Sequence, residues 1–159
     1  MDKKLHQLGR IDRNILRALQ RNGRLSIAAL AREVGLTTTP CKERVRRLER
    51  EGAIRGYHAR LDPTWLNAAL VVFVQIRLNR TSQDIFEEFT RSASALPEVQ
   101  ECYLVSGNFD YLIKARVADM DAYRKFLGET LLTLPGVQES TSYVAMEQVK
   151  ETLELPVPY

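Results

Sequence analysis

A six-residue pattern that occurs twice is the feature that most restricts the fold of this chain. LPEVQE at residues 96–101 returns as LPGVQE at residues 134–139, 38 residues later. A β-prone segment and then a helical pattern precede each copy, and a further β-prone segment follows it. The second part of the chain is therefore predicted to form strand-helix-strand twice over.

These two units predict a ferredoxin-like βαββαβ sandwich. We expect strands at 70–78, 102–105, 111–117 and 140–149, with helical periodicity over 85–96 and 120–134. Both helices would cover one face of the sheet. The other face also carries apolar side chains, so we expect it to bury against another subunit.

The charge is divided unevenly along the chain. The 159 residues carry a net charge of only +3. Residues 1–60 hold 15 Lys and Arg against 6 Asp and Glu, a net +9, and residues 61–159 hold 8 against 14, a net −6. Such asymmetry predicts two units with different partners, of which the first suits a polyanion.

The basic part has the spacing of a helix-turn-helix. An apolar face at residues 11, 15, 16 and 19 predicts a first helix, and Ser26 and Gly35 are typical cap residues for a second. A third helix is predicted over 41–51, with a Thr before Pro40 as its cap. The fold class is α+β: a helix-turn-helix (winged-helix-like) domain over 1–53, an extended linker or strand over 54–68, and the ferredoxin-like domain over 69–159.

The third helix has one apolar and one cationic face. Cys41, Val45 and Leu48 fall together on a helical wheel, opposite a basic surface that suits the major groove. Glu43 and Arg47 are spaced for an ion pair, so a solvated helix is the alternative. Arg24, Arg32 and Arg44 lie elsewhere, as phosphate contacts or plain surface. The predicted DNA contacts are Thr38, Thr39, Lys42, Glu43, Arg46, Arg47 and Arg50.

The hairpin at residues 106–110 is the only candidate small-molecule site. Gly107 and Asn108 are residues that tolerate positive φ. Exposed amides beside the Asp110 carboxylate could hold both ends of a zwitterion, although a plain turn has the same composition. No phosphate loop, metal-spaced cluster or nucleophile-base pair is present, so we do not expect an enzyme.

Compartment is predicted from what the sequence lacks. No apolar run approaches the roughly 20 residues of a membrane helix, and residues 1–7 do not resemble a secretory signal. Cys41 and Cys102 are far apart and lie in no motif. We therefore expect reduced thiols, no membrane partner and a cytoplasmic protein.

Longer motifs resemble one family. IDRNIL at 11–16, TPC at 39–41, ERVRRLER at 43–50 and SGNFDY at 106–111 are together similar to the Lrp/AsnC, or feast/famine, transcription regulators of bacteria. The resemblance covers nearly the whole chain. It implies a DNA-binding helix-turn-helix and a second domain for assembly that responds to an amino acid.

The resemblance also implies an assembly and a set of effector residues. Dimers would form through the sheets, and dimers would associate into octamers on bacterial DNA. The effector amino acid, leucine or alanine, would bind between dimers, and no other cofactor is implied. The implied effector residues lie in the hairpin, beside it and on the last strand. They are Leu104, Gly107, Asn108, Phe109, Asp110, Tyr143 and Val144.

Two other functions remain open from the sequence. A structural protein that wraps DNA without a ligand would need the same basic helix. A regulatory subunit of a biosynthetic enzyme would use the ferredoxin-like domain, but it would leave the basic helix without a role.

Overall fold

The computed structural model describes residues 8–79 and 84–158, which form two compact units. Among the described residues, the first unit holds 8–60 and 150–158, and the second holds 61–79 and 84–149. Residues 1–7, on which the prediction of no secretory signal rests, lie outside the described part. So do the outer limits of the predicted domains at residues 1 and 159.

The described residues of the first unit form three α-helices: α1 (Arg10–Arg21), α2 (Ile27–Val34) and α3 (Thr38–Arg50). The predicted ends of α2 are confirmed: Ser26 Oγ accepts a hydrogen bond from the Ala29 amide at 3.1 Å, and Gly35 adopts the left-handed φ of 72°. The buried apolar side chains come from all three helices. They are Ile15, Ala18, Leu30, Ala31, Cys41, Val45 and Leu48.

Helix α3 begins earlier than predicted. The residue at its N-cap is Thr37, whose side chain makes no capping bond. A Thr before Pro40 therefore occupies the cap position, as predicted, but without the side-chain bond, and Thr39 already lies inside the first turn. Pro40 is tolerated there since the first-turn amides have no intrahelical acceptor.

The connection between the units contains no strand among its described residues. Residues 54–61, predicted from the sequence as a strand or extended link, take no part in a sheet. A short 3₁₀ helix follows over Pro63–Leu66, capped where the Asp62 carboxylate accepts the Thr64 amide at 2.9 Å. The boundary between the units, at residues 60 and 61, falls inside the predicted linker.

Over its described residues, 61–79 and 84–149, the second unit forms a four-stranded antiparallel sheet with two α-helices, as predicted. Its elements are β1 (Leu70–Leu78), α4 (Asp84–Ser94), β2 (Val99–Leu104), β3 (Tyr111–Val117), α5 (Met120–Glu129) and β4 (Val137–Val144). The strand order is β2-β3-β1-β4, the ferredoxin-like order. A core of fully buried side chains lies between sheet and helices, including Val72, Val74, Ile76, Phe89 and Ile113.

The first and last residues of several strands and helices differ from the predicted ones. They differ where backbone hydrogen bonding, rather than residue composition, determines where an element begins or ends. Strand β2 starts three residues before the predicted 102, because Val99 already pairs with Ala115. Strand β4 starts at Val137 and stops at Val144, short of the predicted 149. The last helical turn before residue 134 is a separate 3₁₀ segment, Leu131–Thr133.

The end of the chain is the largest departure from the predicted domains. Residues 150–158 fall within the predicted ferredoxin-like domain, but they pack with the first unit. The Gln20 side chain and Arg17 guanidinium of α1 hold their backbone. Side-chain hydrogen bonds to a backbone leave no periodic signal in the sequence, so pattern analysis could not assign this segment.

The two copies of the repeat differ at their third residue, and one copy requires glycine. Gly136 has a φ of 73°, and a Cβ there would lie 2.3 Å from Ile85 Cγ1. We expect Gly136→Ala to lower the free energy of unfolding by about 2 kcal/mol, from left-handed strain plus displacement of Ile85. Urea unfolding of the full chain measures it.

Gly128→Ala is the matched control for this substitution. Gly128 lies exposed within α5, and an alanine methyl at this position would meet open space. Alanine there should leave stability unchanged or raise it by up to about 1 kcal/mol through helix propensity. Equal unfolding midpoints for the two variants would contradict the assigned role of Gly136.

Candidate nucleic-acid interface and hairpin site

The cationic face of α3 points to solvent in the structure. Cys41 and Leu48 are fully buried and Val45 is 5% exposed, so the opposite side of the helix is left uncovered by its own unit. Six of the seven predicted DNA contacts lie on this exposed side. They are Thr38, Thr39, Lys42, Glu43, Arg46 and Arg50.

A buried carboxylate on α1 fixes the position of α3. Asp12 is 2% exposed, and its two oxygens accept hydrogen bonds from Arg44 Nη1 at 3.0 Å and Arg47 Nη2 at 2.7 Å. The Gly9 amide also donates to Asp12 Oδ2, at 3.2 Å, which closes the start of α1. Charge-assisted bonds at these distances make Asp12 the polar joint between the two helices.

The seventh predicted contact, Arg47, therefore has a different role from the one expected. Its guanidinium is turned to Asp12, and its Nε lies 4.0 Å from Glu51 Oε2. Arg44, expected to be a phosphate contact or plain surface, makes the second bond to Asp12. Both support α3 from the inner side, while Arg46 and Arg50 remain on the outer side.

One sequence signal could have identified Asp12. It lies three and six residues before Ile15 and Ala18, the other buried positions of α1, and so falls on the apolar stripe. A carboxylate on such a stripe needs a buried partner. The partners, however, are 32 and 35 residues away, and nothing local indicates them.

A tyrosine beyond α3 holds the connecting segment against the helix-turn-helix. The Tyr57 hydroxyl donates to Glu49 Oε1 at 3.0 Å, and its ring lies against Gly23 in the turn after α1. Burial, and then this bond to a carboxylate, raise the pKa of Tyr57 to about 12. The hydroxyl therefore remains a donor at neutral pH.

The hairpin between β2 and β3 differs from the predicted zwitterion site in one respect. Asp110 is only 3% exposed, and its Oδ2 accepts the Leu78 amide at 2.8 Å. The expectation that this carboxylate is available for a ligand ammonium is therefore wrong for the single chain. The main-chain amide of Asp110 also donates to Ile76 O at 2.9 Å, so Asp110 anchors the hairpin to β1.

Residues 106–108 of the hairpin are exposed, and Gly107 has an unusual backbone conformation. Gly107 has a φ of 156°, a positive value that favours glycine, as its tolerance of positive φ allows. Asn108, which also tolerates positive φ, does not adopt it. Leu104, at the end of β2, is 66% exposed beside the hairpin, and Phe109 is half-buried.

Arg77 is a hairpin residue that the sequence analysis missed. Its Nε and Nη2 donate to the Asn108 carbonyl at 3.1 and 2.6 Å, and its Nη1 lies 3.0 Å from Glu139 Oε2. Arg77 thereby connects the hairpin to the first residues of β4. Alternation places Arg77 on the sheet face away from the helices, but its partners depend on strand order.

The structure does not bring all the predicted effector residues together in one chain. Tyr143 and Val144 pair with Phe73 and Val72 on β1, whereas the hairpin adjoins Ile76. Three or four residues along a strand correspond to roughly 10 to 13 Å. The two groups of predicted residues therefore lie towards opposite ends of the sheet.

The sheet face opposite the helices carries exposed aromatic side chains. Phe73, Tyr103 and Tyr143 are 37%, 53% and 51% exposed, and strand alternation places them on this face.

Over residues 8–79 and 84–158, no helix has the length and hydropathy to cross a membrane. The same residues contain no His, Cys, Asp or Glu cluster suited to a metal ion.

A helix-turn-helix with an outward cationic helix, joined to a ferredoxin-like unit, defines the class of ligand-responsive, DNA-binding transcription regulators. Residues 8–55 match the family model described as winged helix-turn-helix DNA-binding. Residues 71–155 match the model described as the Lrp/AsnC ligand binding domain. The chain belongs to the Lrp/AsnC family, which confirms the resemblance seen in its motifs.

Named relatives and solved structures agree with this assignment. The chain is 59% identical over 150 residues to the leucine-responsive regulatory proteins of Escherichia coli K12 and Salmonella typhimurium, covering 94% of this chain and 92% of each relative. A Neisseria meningitidis transcriptional regulator, solved as an L-Met complex, has a TM-score of 0.89 at 38% identity, covering 94% of this chain and 96% of that one. An AsnC family regulator from Agrobacterium tumefaciens also has a TM-score of 0.89, at 42% identity, covering 93% and 96%.

Proposed function

We propose that this chain controls transcription in the cytoplasm of a bacterium, on nucleoid DNA, in response to a small amino acid such as leucine or alanine. The single observation that carries the proposal is the combination of an outward cationic α3 with an exposed, glycine-dependent hairpin on a separate unit. The names of the relatives support it: one group is leucine-responsive, and one neighbour was solved with L-Met.

The proposed DNA interface is the outer face of α3. The arginines that pair with Asp12 are Arg44 and Arg47, whereas Arg46 and Arg50 project from the side opposite Cys41 and Leu48. Arginines in this arrangement can reach guanine edges or phosphates in the major groove. Thr38, Thr39, Lys42 and Glu43 complete the surface, and Arg47 acts by holding α3 in place.

The proposed effector site lies between copies of the chain. Because Tyr143 and Val144 are about 10 to 13 Å along the sheet from the hairpin, one copy cannot supply the whole set within a small amino acid's reach. Leu104, Gly107, Asn108 and Phe109 would come from one chain and the β4 residues from another, while Asp110 holds the hairpin against β1. The exposed aromatic sheet face would form the dimer, and dimers would associate into octamers.

We expect isothermal titration calorimetry of the full chain to detect binding of one small group of aliphatic amino acids. The variant Leu104→Ala should weaken that binding by about 5- to 30-fold, since burial of a leucine side chain contributes roughly 1.5 kcal/mol or more. Leu104 is 66% exposed, so the fold should be unaffected.

Leu132→Ala is the control, because Leu132 is a leucine 44% exposed on the 3₁₀ segment Leu131–Thr133, which belongs neither to the hairpin nor to β4. It should bind the amino acid as the unmodified chain does. Absence of heat from all twenty amino acids, with DNA binding intact, would overturn the effector proposal in favour of a ligand-independent DNA-wrapping protein.

A further inference from the structure

Residues 150–158 return to the first unit and contact α1. The chain leaves the first unit after Arg60 and returns to it at Lys150, so the second unit is joined to the first at both of its ends. In the returning segment, the backbones of Leu155, Val157 and Pro158 bond to two α1 side chains.

Gln20 pairs with the backbone of Leu155 through both groups of its amide. The Leu155 amide donates to Gln20 Oε1 at 2.7 Å, and Gln20 Nε2 donates to the Leu155 carbonyl at 3.0 Å. This is the pairing that one strand makes with another, performed by a side chain. The Leu155 side chain is 74% exposed, so recognition is of the backbone rather than of leucine.

Arg17 binds the carbonyls that follow. Its Nε and Nη2 donate to Val157 O at 3.3 and 3.1 Å, and Nη2 also donates to Pro158 O at 2.8 Å. Its Nη1 donates to Asn14 Oδ1 at 2.9 Å, which orients the guanidinium on α1. A segment with proline at two positions offers mainly carbonyls, and Arg supplies only donors.

The two prolines also prepare the segment for binding. A residue before proline is confined to extended conformations, so Leu155 and Val157 are extended before they meet α1. The ordering entropy lost on docking is correspondingly small. A further ion pair, Arg60 Nη2 to Glu151 Oε2 at 3.5 Å, holds the start of the segment.

We propose that the Arg17 and Gln20 face of α1 is a docking site for the C-terminal segment Leu155–Pro158, and that the docked segment is a second tether restricting the movement of the DNA-binding unit. With the tail docked, the second unit is connected to the DNA-binding unit both after Arg60 and at Lys150. Two connections rather than one then limit the positions in which α3 can meet DNA. In an assembly, the tether would narrow the range of DNA half-site spacings that two copies can hold together. Docking rests on the contacts alone, whereas the spacing effect also rests on the proposed assembly.

Docking is tested by limited chymotrypsin digestion of the full chain, with mass spectrometry of cleavage after Leu153. Leu153 is 89% exposed, but a docked tail on its C-terminal side cannot enter a protease site. We expect Gln20→Leu and Arg17→Gln each to increase the initial cleavage rate by about tenfold, since each removes two or more hydrogen bonds. Arg21→Gln is the matched control: it removes the same charge one turn away, from a residue paired with Glu33.

The tether is tested by DNA binding with the half-site spacing varied over one helical turn. Inserting half a helical turn of DNA between the half-sites should lower the affinity of the unmodified chain steeply. For Gln20→Leu, the ratio of affinities without and with the insertion should be at least about threefold smaller. Leu155→Pro, which lacks the bonded amide, should behave like Gln20→Leu, and Leu155→Ala should behave like the unmodified chain.

The outcomes separate the parts of the proposal. Cleavage rates equal to that of Arg21→Gln would overturn docking, whatever the protein's function. Faster cleavage with an unchanged spacing profile would overturn the tether. If the unmodified chain binds none of the DNA fragments, the DNA-binding function on which the spacing effect depends is contradicted instead.

Discussion

The substitution Asp12→Ala is expected to lower the free energy of unfolding of the DNA-binding unit by about 3 kcal/mol. Removing one partner of a buried ion pair typically costs about 3–5 kcal/mol, and the lower value is expected because Arg44 and Arg47 are each 37% exposed and can recover some hydration. Far-UV circular dichroism of the full chain in urea measures the change, since this unit supplies three of the five described α-helices.

Two further variants test whether the buried position of Asp12 is the cause. Asp12→Asn keeps an acceptor for the Gly9 amide but loses the charge, and should have an intermediate effect. Glu33→Ala breaks the Arg21–Glu33 pair, whose side chains are 66% and 41% exposed, and should cost no more than about 0.5 kcal/mol. If Asp12→Ala unfolds at the same urea concentration as Glu33→Ala, Asp12 is not the joint between α1 and α3.

The double substitution Arg46→Ala with Arg50→Ala is expected to weaken binding to a promoter fragment by about 100-fold at physiological salt. Both side chains lie on the exposed face of α3, outside the buried core of the unit, so the fold should be retained. If both arginines contact phosphates, the magnitude of the slope of log affinity against log salt should fall by about 2 per half-site. Fluorescence anisotropy over a salt series measures both quantities.

A charge-matched control separates local contact from general electrostatics. Arg91 and Arg124 are exposed on the second unit, and replacing both with alanine changes the net charge equally. We expect this variant to bind DNA within about twofold of the unmodified chain, because screening limits interactions beyond roughly 10 Å. Equal losses for the two double variants would rule out α3 as the recognition helix.

Much of the fold could be predicted because its signals are periodic. The 3.6-residue pattern indicates α1 to α3, and the repeat at 96 and 134 indicates the order of strands and helices. The exposed face of α3 was also predictable, since Cys41, Val45 and Leu48 alone fix which side is buried. Element ends were less accurate because hydrogen-bond partners decide them, as Val99 shows at the start of β2.

The errors in the candidate sites share one cause: polar side chains that pair with distant elements. Arg47, predicted to contact DNA, binds Asp12 instead, and Asp110, predicted to hold a ligand, accepts the Leu78 amide. Arg77 was missed although it holds the hairpin carbonyl. Charge and spacing predicted that residues at these sites are important, but not the partners that they contact.

The sequence by itself determined the helix-turn-helix, the ferredoxin-like repeat and the cationic face of α3, because these follow from local steric preferences and from the period of apolar residues. Only the tertiary structure decided the partners of Asp12, Asp110 and Arg77 and the position of the C-terminal segment on α1. The physical reason is that a hydrogen bond is directional and short. Its partner is therefore fixed by which elements approach within about 3 Å, and that approach is set by packing of the whole unit.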